Sequence, residues 1–142
     1  MSVTFESKQS NDLLHFKVSG FAPYHQIKEV VEKVKTEINK AEEKGRPYRI
    51  LFDLRGLKAL DPRAVAEIEK LDKIIIGLTK LVKVGTVLDS IIAKIQQMRV
   101  AKNYDMLNGD FFSDFDECMA WLNDPITDKR EYRRKVESRK KN

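Results

Sequence analysis

The sequence has little of what marks a secreted, membrane or nucleotide-binding protein. Cys118 is the only cysteine in 142 residues, so no internal disulfide can form. The six glycines occur singly, which excludes a glycine-rich phosphate loop. The longest apolar runs, such as Ile74 to Ile76, are far shorter than the roughly 20 residues that span a bilayer. The N-terminal segment lacks the basic and apolar regions of a secretory signal, so we expect a cytoplasmic protein.

Residue types that usually do chemistry are also few. The two histidines, His15 and His25, have no Cys, His or carboxylate at the spacing of metal ligands, and we expect both at the surface. Cys118 falls on the apolar side of a predicted helix, which predicts a buried thiol and not a nucleophile. No serine stands in the context of a nucleophile elbow. We therefore expect no enzyme activity, no metal and no cofactor.

Positive charge is concentrated at the C-terminus. Residues 129–142 hold eight Lys or Arg and two Glu, a net charge of +6, which leaves −1 for the other 128 residues. A nearly neutral body is not expected to bind nucleic acid specifically. We therefore predict a domain over residues 1–125 and a basic extension over 126–142. Asp128 and Glu131 resemble a capping box, which predicts that the extension is helical.

The basic extension has two interpretations. It could make a weak contact with an anionic surface, since clustered cations are attracted to anionic lipids and nucleic acids. Its few apolar residues suit it poorly for insertion into a membrane. The alternative is a solvated tail that aids solubility or packs on a neighbouring subunit. The residues predicted for the anionic contact are Lys129, Arg130, Arg133, Arg134 and Lys135.

Hydrophobic periodicity predicts an α/β fold. Alternating apolar residues predict an N-terminal β-hairpin, with a turn at residues 9–12 and a second strand that ends at Gly20. Strands then alternate with helices, which indicates parallel crossover connections. We predict a mixed, mostly parallel sheet of about five strands with about four helices, the hairpin at its edge and one face better covered. Further strands are predicted at 48–54, 81–87 and 110–112, and helices at 24–44, 62–78, about 90–102 and 115–124.

Two aspartates flank the loop after the third predicted strand. Asp53 ends that strand, where open α/β sheets place their ligands. Asp61 precedes Pro62, and this pair is typical of a helix start with an aspartate cap. The two carboxylates could form an acid/base pair or a Mg²⁺ site. We favour structural roles, because a helix cap and an aspartate bonded to loop amides explain both.

The stretch ILFDLRGLKALDPRA, residues 50–64, resembles STAS domains, the SpoIIAA-like anti-sigma-factor antagonists of bacteria. In that family a strand ending in Asp-Leu is followed by six residues and an Asp-Ser-Ser-Gly helix start. Asp53-Leu54, the next six residues and Asp61 match this spacing. The order of elements over residues 3–123 and the ending FFSDFDECMAWL are also similar to the family. The likeness is closest to the STAS/SEC14-type subgroup and implies a SpoIIAA-like fold.

The sequence departs from the family where the family is regulated. The second serine, which a partner kinase phosphorylates, is Arg63 here, and Pro62 and Ala64 replace the first serine and the glycine. The resemblance therefore implies a non-enzymatic regulatory module that binds another protein without phosphorylation at this position. The predicted binding residues are Asp53, Arg55, Lys58, Asp61 and Arg63. A homo-oligomer is left open. The alternative is a binder of a lipid or other small hydrophobic or anionic ligand, peripheral to the membrane through its basic extension.

Overall fold

A computed structural model describes residues 3–89 and 106–140. The helix predicted at about 90–102 lies outside these residues. Six strands and four helices are described. In chain order they are β1 (Val3–Ser10), β2 (Leu13–Ala22), α1 (Tyr24–Glu43), β3 (Tyr48–Asp53), β4 (Leu57–Leu60), α2 (Pro62–Ile76), β5 (Leu81–Val87), β6 (Gly109–Phe112), α3 (Phe115–Asn123) and α4 (Lys129–Lys140).

The predicted hairpin is present, with a tighter turn and a longer second strand. β1 and β2 pair antiparallel from Val3–Gly20 to Ser10–Leu13. Only Asn11 and Asp12 form the turn, with φ of 51° and 60°, as a two-residue type I′ turn requires. β2 continues past Gly20 to Ala22, and the Gly20 N–H donates to the Gly56 carbonyl. The predicted end at Gly20 is therefore wrong, because a later segment of the chain supplies pairing partners beyond it.

The sheet is mixed and mostly parallel, as predicted. Its strand order is β1-β2-β3-β5-β6, and every neighbouring pair except β1–β2 is parallel. The element that the sequence analysis missed is β4, which was predicted as part of a six-residue connection. β4 pairs in parallel with the end of β2, at Gly20–Leu57 and Ala22–Leu60. Four residues carry too little periodicity to distinguish a strand from a loop, so only the neighbouring strand reveals this one.

Helix boundaries follow the local signals. The Asp61 carboxylate accepts the Arg63 N–H at the start of α2, and Pro62 is the first helical residue. The Asp114 carboxylate caps α3 by accepting the Glu117 N–H. α2 ends at Ile76, two residues earlier than predicted. The six apolar positions predicted for α1 are all buried, namely Ile27, Val30, Val31, Val34, Ile38 and Ala41.

Two apolar clusters lie on the two faces of the sheet. The larger includes eighteen buried residues among those described, drawn mainly from β2, β3, α1 and α2. The smaller contains Leu51, Val87, Cys118, Trp121, Leu122 and Tyr132, beneath α3 and α4. Helices therefore cover one face better than the other, as predicted, and β3 contributes Ile50 to one face and Leu51 to the other.

The predicted helix at the C-terminus is present as α4. The Asp128 carboxylate accepts the Arg130 N–H at 2.9 Å, as a helix cap does. Tyr132 is buried, and its ring meets that of Trp121 edge-on, with the centroids 5.1 Å apart. Val136 packs against the same cluster. α4 therefore packs on the face of this chain's own sheet that carries the smaller cluster. A self-contained domain that ends at residue 125 stays a prediction.

Candidate functional site

Four of the five predicted binding residues form two ion pairs of the same design. In each Asp-x-Arg unit, the backbone N–H and the guanidinium of the arginine donate hydrogen bonds to the carboxylate of the aspartate two residues earlier. Asp53 accepts the N–H of Arg55 at 3.2 Å, its Nε at 2.9 Å and its Nη2 at 2.7 Å. Asp61 accepts the same three groups of Arg63 at 2.9, 3.2 and 2.8 Å. The fifth residue, Lys58, is exposed on β4.

Asp53 is the buried member of these units. Its residue is 1% exposed, and the Arg55 guanidinium lies over the Phe115 ring, 4.8 Å from the centroid. Burial alone would raise the pKa of Asp53, but the hydrogen bonds from Arg55 outweigh it and hold the pKa below its ordinary value. An ionised carboxylate whose two oxygens are both occupied by Arg55 is suited to fix the loop after β3.

Asp61 and Arg63 lie at the exposed start of α2. Hydrogen bonds from Arg63 lower the pKa of Asp61. The Arg63 guanidinium lies 5.0 Å from the centroid of the Tyr24 ring, at the start of α1. Tyr24 in turn donates to a carboxylate oxygen of Glu67 on α2, at 3.3 Å. The position that bears a phosphoserine in the resembled family therefore holds a cation that ties the starts of α1 and α2 together.

The two ion pairs lie on opposite faces of the sheet. Asp53 alternates along β3 with Phe52, which packs on the larger cluster, and its partner Arg55 contacts Phe115 of α3. Arg63 contacts Tyr24 of α1 instead, on the face that α1 and α2 cover. What the sequence predicted as one surface is thus two surfaces, with Lys58 on the short strand between them.

A polar pocket that the sequence did not predict surrounds Asp53 and Arg55. It has a volume of about 160 Å³ and is also lined by Glu6, Lys8, His15, Lys17 and Phe115. His15 was expected at the surface, but it is half-buried, and in the described part of the chain its Nε2 is buried without a hydrogen-bond partner. Burial lowers the pKa of His15, against the opposing charge of Asp53. The hairpin register could have indicated this group, because it pairs Lys8 with His15 and Glu6 with Lys17.

A second, apolar cavity lies between the sheet and helices α1 and α2. Its volume is about 120 Å³, and the described residues around it include Val30, Leu54, Ile68 and Val84. Asp72 of α2 is an ionisable group in this lining. Burial, with the charge of Glu69 adding to it, raises the pKa of Asp72 to about 7. At neutral pH this carboxyl is therefore protonated in a substantial fraction of molecules.

Carboxylates of this chain engage at least three of the five cations predicted to meet an anionic surface. Arg133 pairs with the buried Asp110, Lys135 with Asp124 at 2.6 Å, and Arg130 with Asp128 at 3.1 Å. Arg134 is exposed on α4. The Arg133 and Lys135 pairs thus hold α4 on the preceding part of the domain, whereas the Arg130 pair lies within the extension itself. Among the described residues, no helix is both long and apolar enough to cross a membrane.

Comparison with solved structures shows that the fold is SpoIIAA-like. An anti-sigma factor antagonist from Mycobacterium paratuberculosis matches with a TM-score of 0.64 at 14% identity, over 87% of this chain and 96% of that one. An uncharacterized DUF3478-family protein with a SpoIIAA-like fold, from Shewanella loihica PV-4, matches with a TM-score of 0.58 at 16% identity, over 84% and 93%. No protein-family model and no curated protein sequence matches the chain. The fold predicted from the resemblance to STAS domains is thereby confirmed.

Proposed function

We propose that this protein is a non-enzymatic regulatory module that binds another protein, in the cytoplasm, through the start of α2. One observation carries the proposal. Arg63 occupies the position of the family's phosphoserine, is bound to Asp61 and stacks on Tyr24, while its side chain is still 71% exposed. The start of α2 is thus an ordered, exposed surface. The SpoIIAA-like fold, found also in an anti-sigma factor antagonist, supports the regulatory part of the proposal.

The chemistry of this surface suits an acidic partner and favours a module that is not controlled by phosphorylation at the usual position. Arg63 and Lys58 present positive charge, and Tyr24 adds an aromatic ring of the kind that is enriched in interfaces. No hydroxyl stands at residues 62 or 63 to accept a phosphate. Lys58 and the Asp61–Arg63 pair together carry a net charge of +1. Phosphorylation at residue 62 or 63 cannot change this charge, so binding would depend on the abundance of the partner and not on a kinase.

Affinity purification from the native host, followed by mass spectrometry, tests this proposal. The double variant Lys58→Glu, Arg63→Glu should lose the partner that the unmodified protein retains, because each change reverses a charge on the surface. The control is Lys44→Glu, Lys80→Glu, which reverses two exposed charges at the opposite end of the sheet. Retention of every co-purifying protein by the Lys58, Arg63 variant would overturn the proposal.

The apolar cavity favours a second candidate function, the binding of a small hydrophobic ligand beside Asp72. A cavity of about 120 Å³ is close to the ~150 Å³ engineered cavity that holds benzene, so its size suits a small aromatic molecule better than a lipid. Native mass spectrometry of protein purified from its host tests this. A bound small molecule supports it, and the mass of the unliganded chain alone counts against it.

A further inference from the structure

We propose that the pocket around His15, which we call the β1–β2 pocket, binds a small phosphate-type oxyanion. It is lined by Glu6, Lys8, His15, Lys17, Arg55 and Phe115, with Asp53 beneath Arg55. The proposal goes beyond the protein-binding surface at the start of α2. It assigns a small-ligand site to the other face of the sheet, where two of the predicted protein-binding residues, Asp53 and Arg55, are found.

Among the described elements, α3 and α4 cover only part of their face, and this leaves room for the pocket. α3 packs on β3, β5 and β6, and α4 packs on α3 through Tyr132 and Trp121. The same face of β1 and β2 carries Glu6, Lys8 and Lys17, all exposed, and the half-buried His15. Phe115, at the start of α3, forms the wall where the covered half of the face meets the uncovered half.

The charges in the pocket are suited to an anion. Three cations, Lys8, Lys17 and Arg55, face two carboxylates, Glu6 and Asp53. Arg55 already neutralises Asp53, which leaves two lysines against one glutamate on the rim. In the part of the chain that the structure describes, no hydrogen bond or ion pair engages either lysine side chain. The single net positive charge that remains on this concave surface is what an oxyanion would neutralise.

His15 supplies the group that distinguishes this pocket from a solvated sheet face. It is paired with Lys8 across the hairpin, and its ring centroid lies 6.1 Å from that of Phe115. A buried imidazole nitrogen without a partner is costly unless something compensates for it. An oxyanion beside the ring would stabilise the imidazolium, and in that form both nitrogens become donors.

NMR titration of the full-length protein with inorganic phosphate tests the proposal, with sodium chloride holding the ionic strength constant. Phosphate should shift the His15 ring signals in a saturable way, with affinity of about 1 mM, and raise the pKa of His15. His25 is an internal control, because it lies outside the pocket. Phenyl phosphate is the second ligand: tighter binding than phosphate indicates a phosphate monoester whose organic part contacts Phe115, and equal binding indicates free phosphate.

Substitutions at three exposed residues predict in which direction the affinity for phosphate should change. Lys8→Gln and Lys17→Gln should each weaken phosphate binding about two- to fivefold, since each removes an attracting charge at the surface. Glu6→Gln should tighten it by a similar factor, which no general loss of structure would do. Lys44→Gln, at the far end of α1, should leave it unchanged. The proposal is overturned if the His15 shifts do not saturate, if His25 shifts equally, or if Glu6→Gln fails to tighten binding.

Discussion

The two faces of the sheet are stabilised by different kinds of interaction. On the α1–α2 face, eighteen of the described residues form an aliphatic and aromatic core in which Phe16 stacks between Phe5 and Phe52. On the α3–α4 face the cluster has six buried residues, and buried polar contacts complete it. One face is therefore stabilised mainly by the removal of apolar area from water, whereas the other also depends on specific hydrogen bonds and ion pairs.

Lys83 is the clearest example of a buried polar contact that stabilises the α3–α4 face. It is 1% exposed, its Nζ donates to the carbonyl oxygens of Trp121 and Asp124, and it lies 4.1 Å from the centroid of the Trp121 ring. Burial lowers the pKa of Lys83, against the opposing charge of Asp124. The amine sits at the C-terminal end of α3, where the last carbonyls lack helical partners and the helix dipole favours a cation. It therefore fixes the end of α3 to β5.

The largest expected effect comes from removing an aromatic ring from the larger core. Phe16→Ala should lower the free energy of unfolding by about 3 to 5 kcal/mol, because Phe16 is 0% exposed and the cavity would be only partly refilled. Phe21→Ala is the matched control on the same strand, since Phe21 is 46% exposed. Urea unfolding followed by the fluorescence of Trp121 measures both. Similar losses in the two variants would contradict the location of the larger core.

A smaller effect is expected where β5 meets α3. A Cβ on Gly85 would lie 2.5 Å from the Cys118 Sγ, so Gly85→Ala should cost about 1 to 3 kcal/mol through overpacking. Gly77→Ala is the control, because the nearest atom to a Cβ there is 3.6 Å away. The double variant Gly85→Ala, Cys118→Ala should lose less than the sum of its two single variants. Strict additivity in urea unfolding would show that the two positions are not in contact.

The smallest expected effect is a pH dependence of the free energy of unfolding that arises from Asp72 on α2. The pKa of Asp72 is about 7 in the folded protein and 3.8 as its ordinary value, so the folded state binds the extra proton between these pH values. Stability from this group is therefore present at low pH and is lost as pH rises through 7. Asp72→Asn should accordingly stabilise the protein at pH 8 by about 1 to 2 kcal/mol, reduced from the full linkage value by partial exposure, and by little at pH 4.

A matched variant makes that pH prediction selective. Glu29→Gln removes an exposed carboxylate from α1 and should change stability about equally at pH 4 and pH 8. Thermal unfolding of the three proteins at both pH values gives the comparison. If Asp72→Asn gains no more at pH 8 than at pH 4, Asp72 does not lie in an apolar environment.

Local patterns were enough for most of the fold and for part of the candidate site. The period of α1, the cap at Asp61 and the alternation in β1 and β2 are properties of short segments, and the structure has each of them. They could not indicate that the Asp53 and Asp61 units open on different faces. The spacing of two residues along the chain does not determine on which side of a sheet the intervening loop leaves them.

The sequence alone was sufficient to predict the alternation of strands and helices apart from β4, the hairpin at the edge, the buried Cys118 and the lack of a phosphoacceptor at residue 63. These follow from periodicity, capping and residue identity, which act over a few residues. The tertiary structure alone decided that β4 pairs with β2, that Lys83 is buried under Trp121, and that His15 lies in a pocket with Lys8 and Arg55. Each depends on which distant segment packs against the residue. The alternation of side chains along a strand indicates which residues share a face, but it does not indicate which element covers that face.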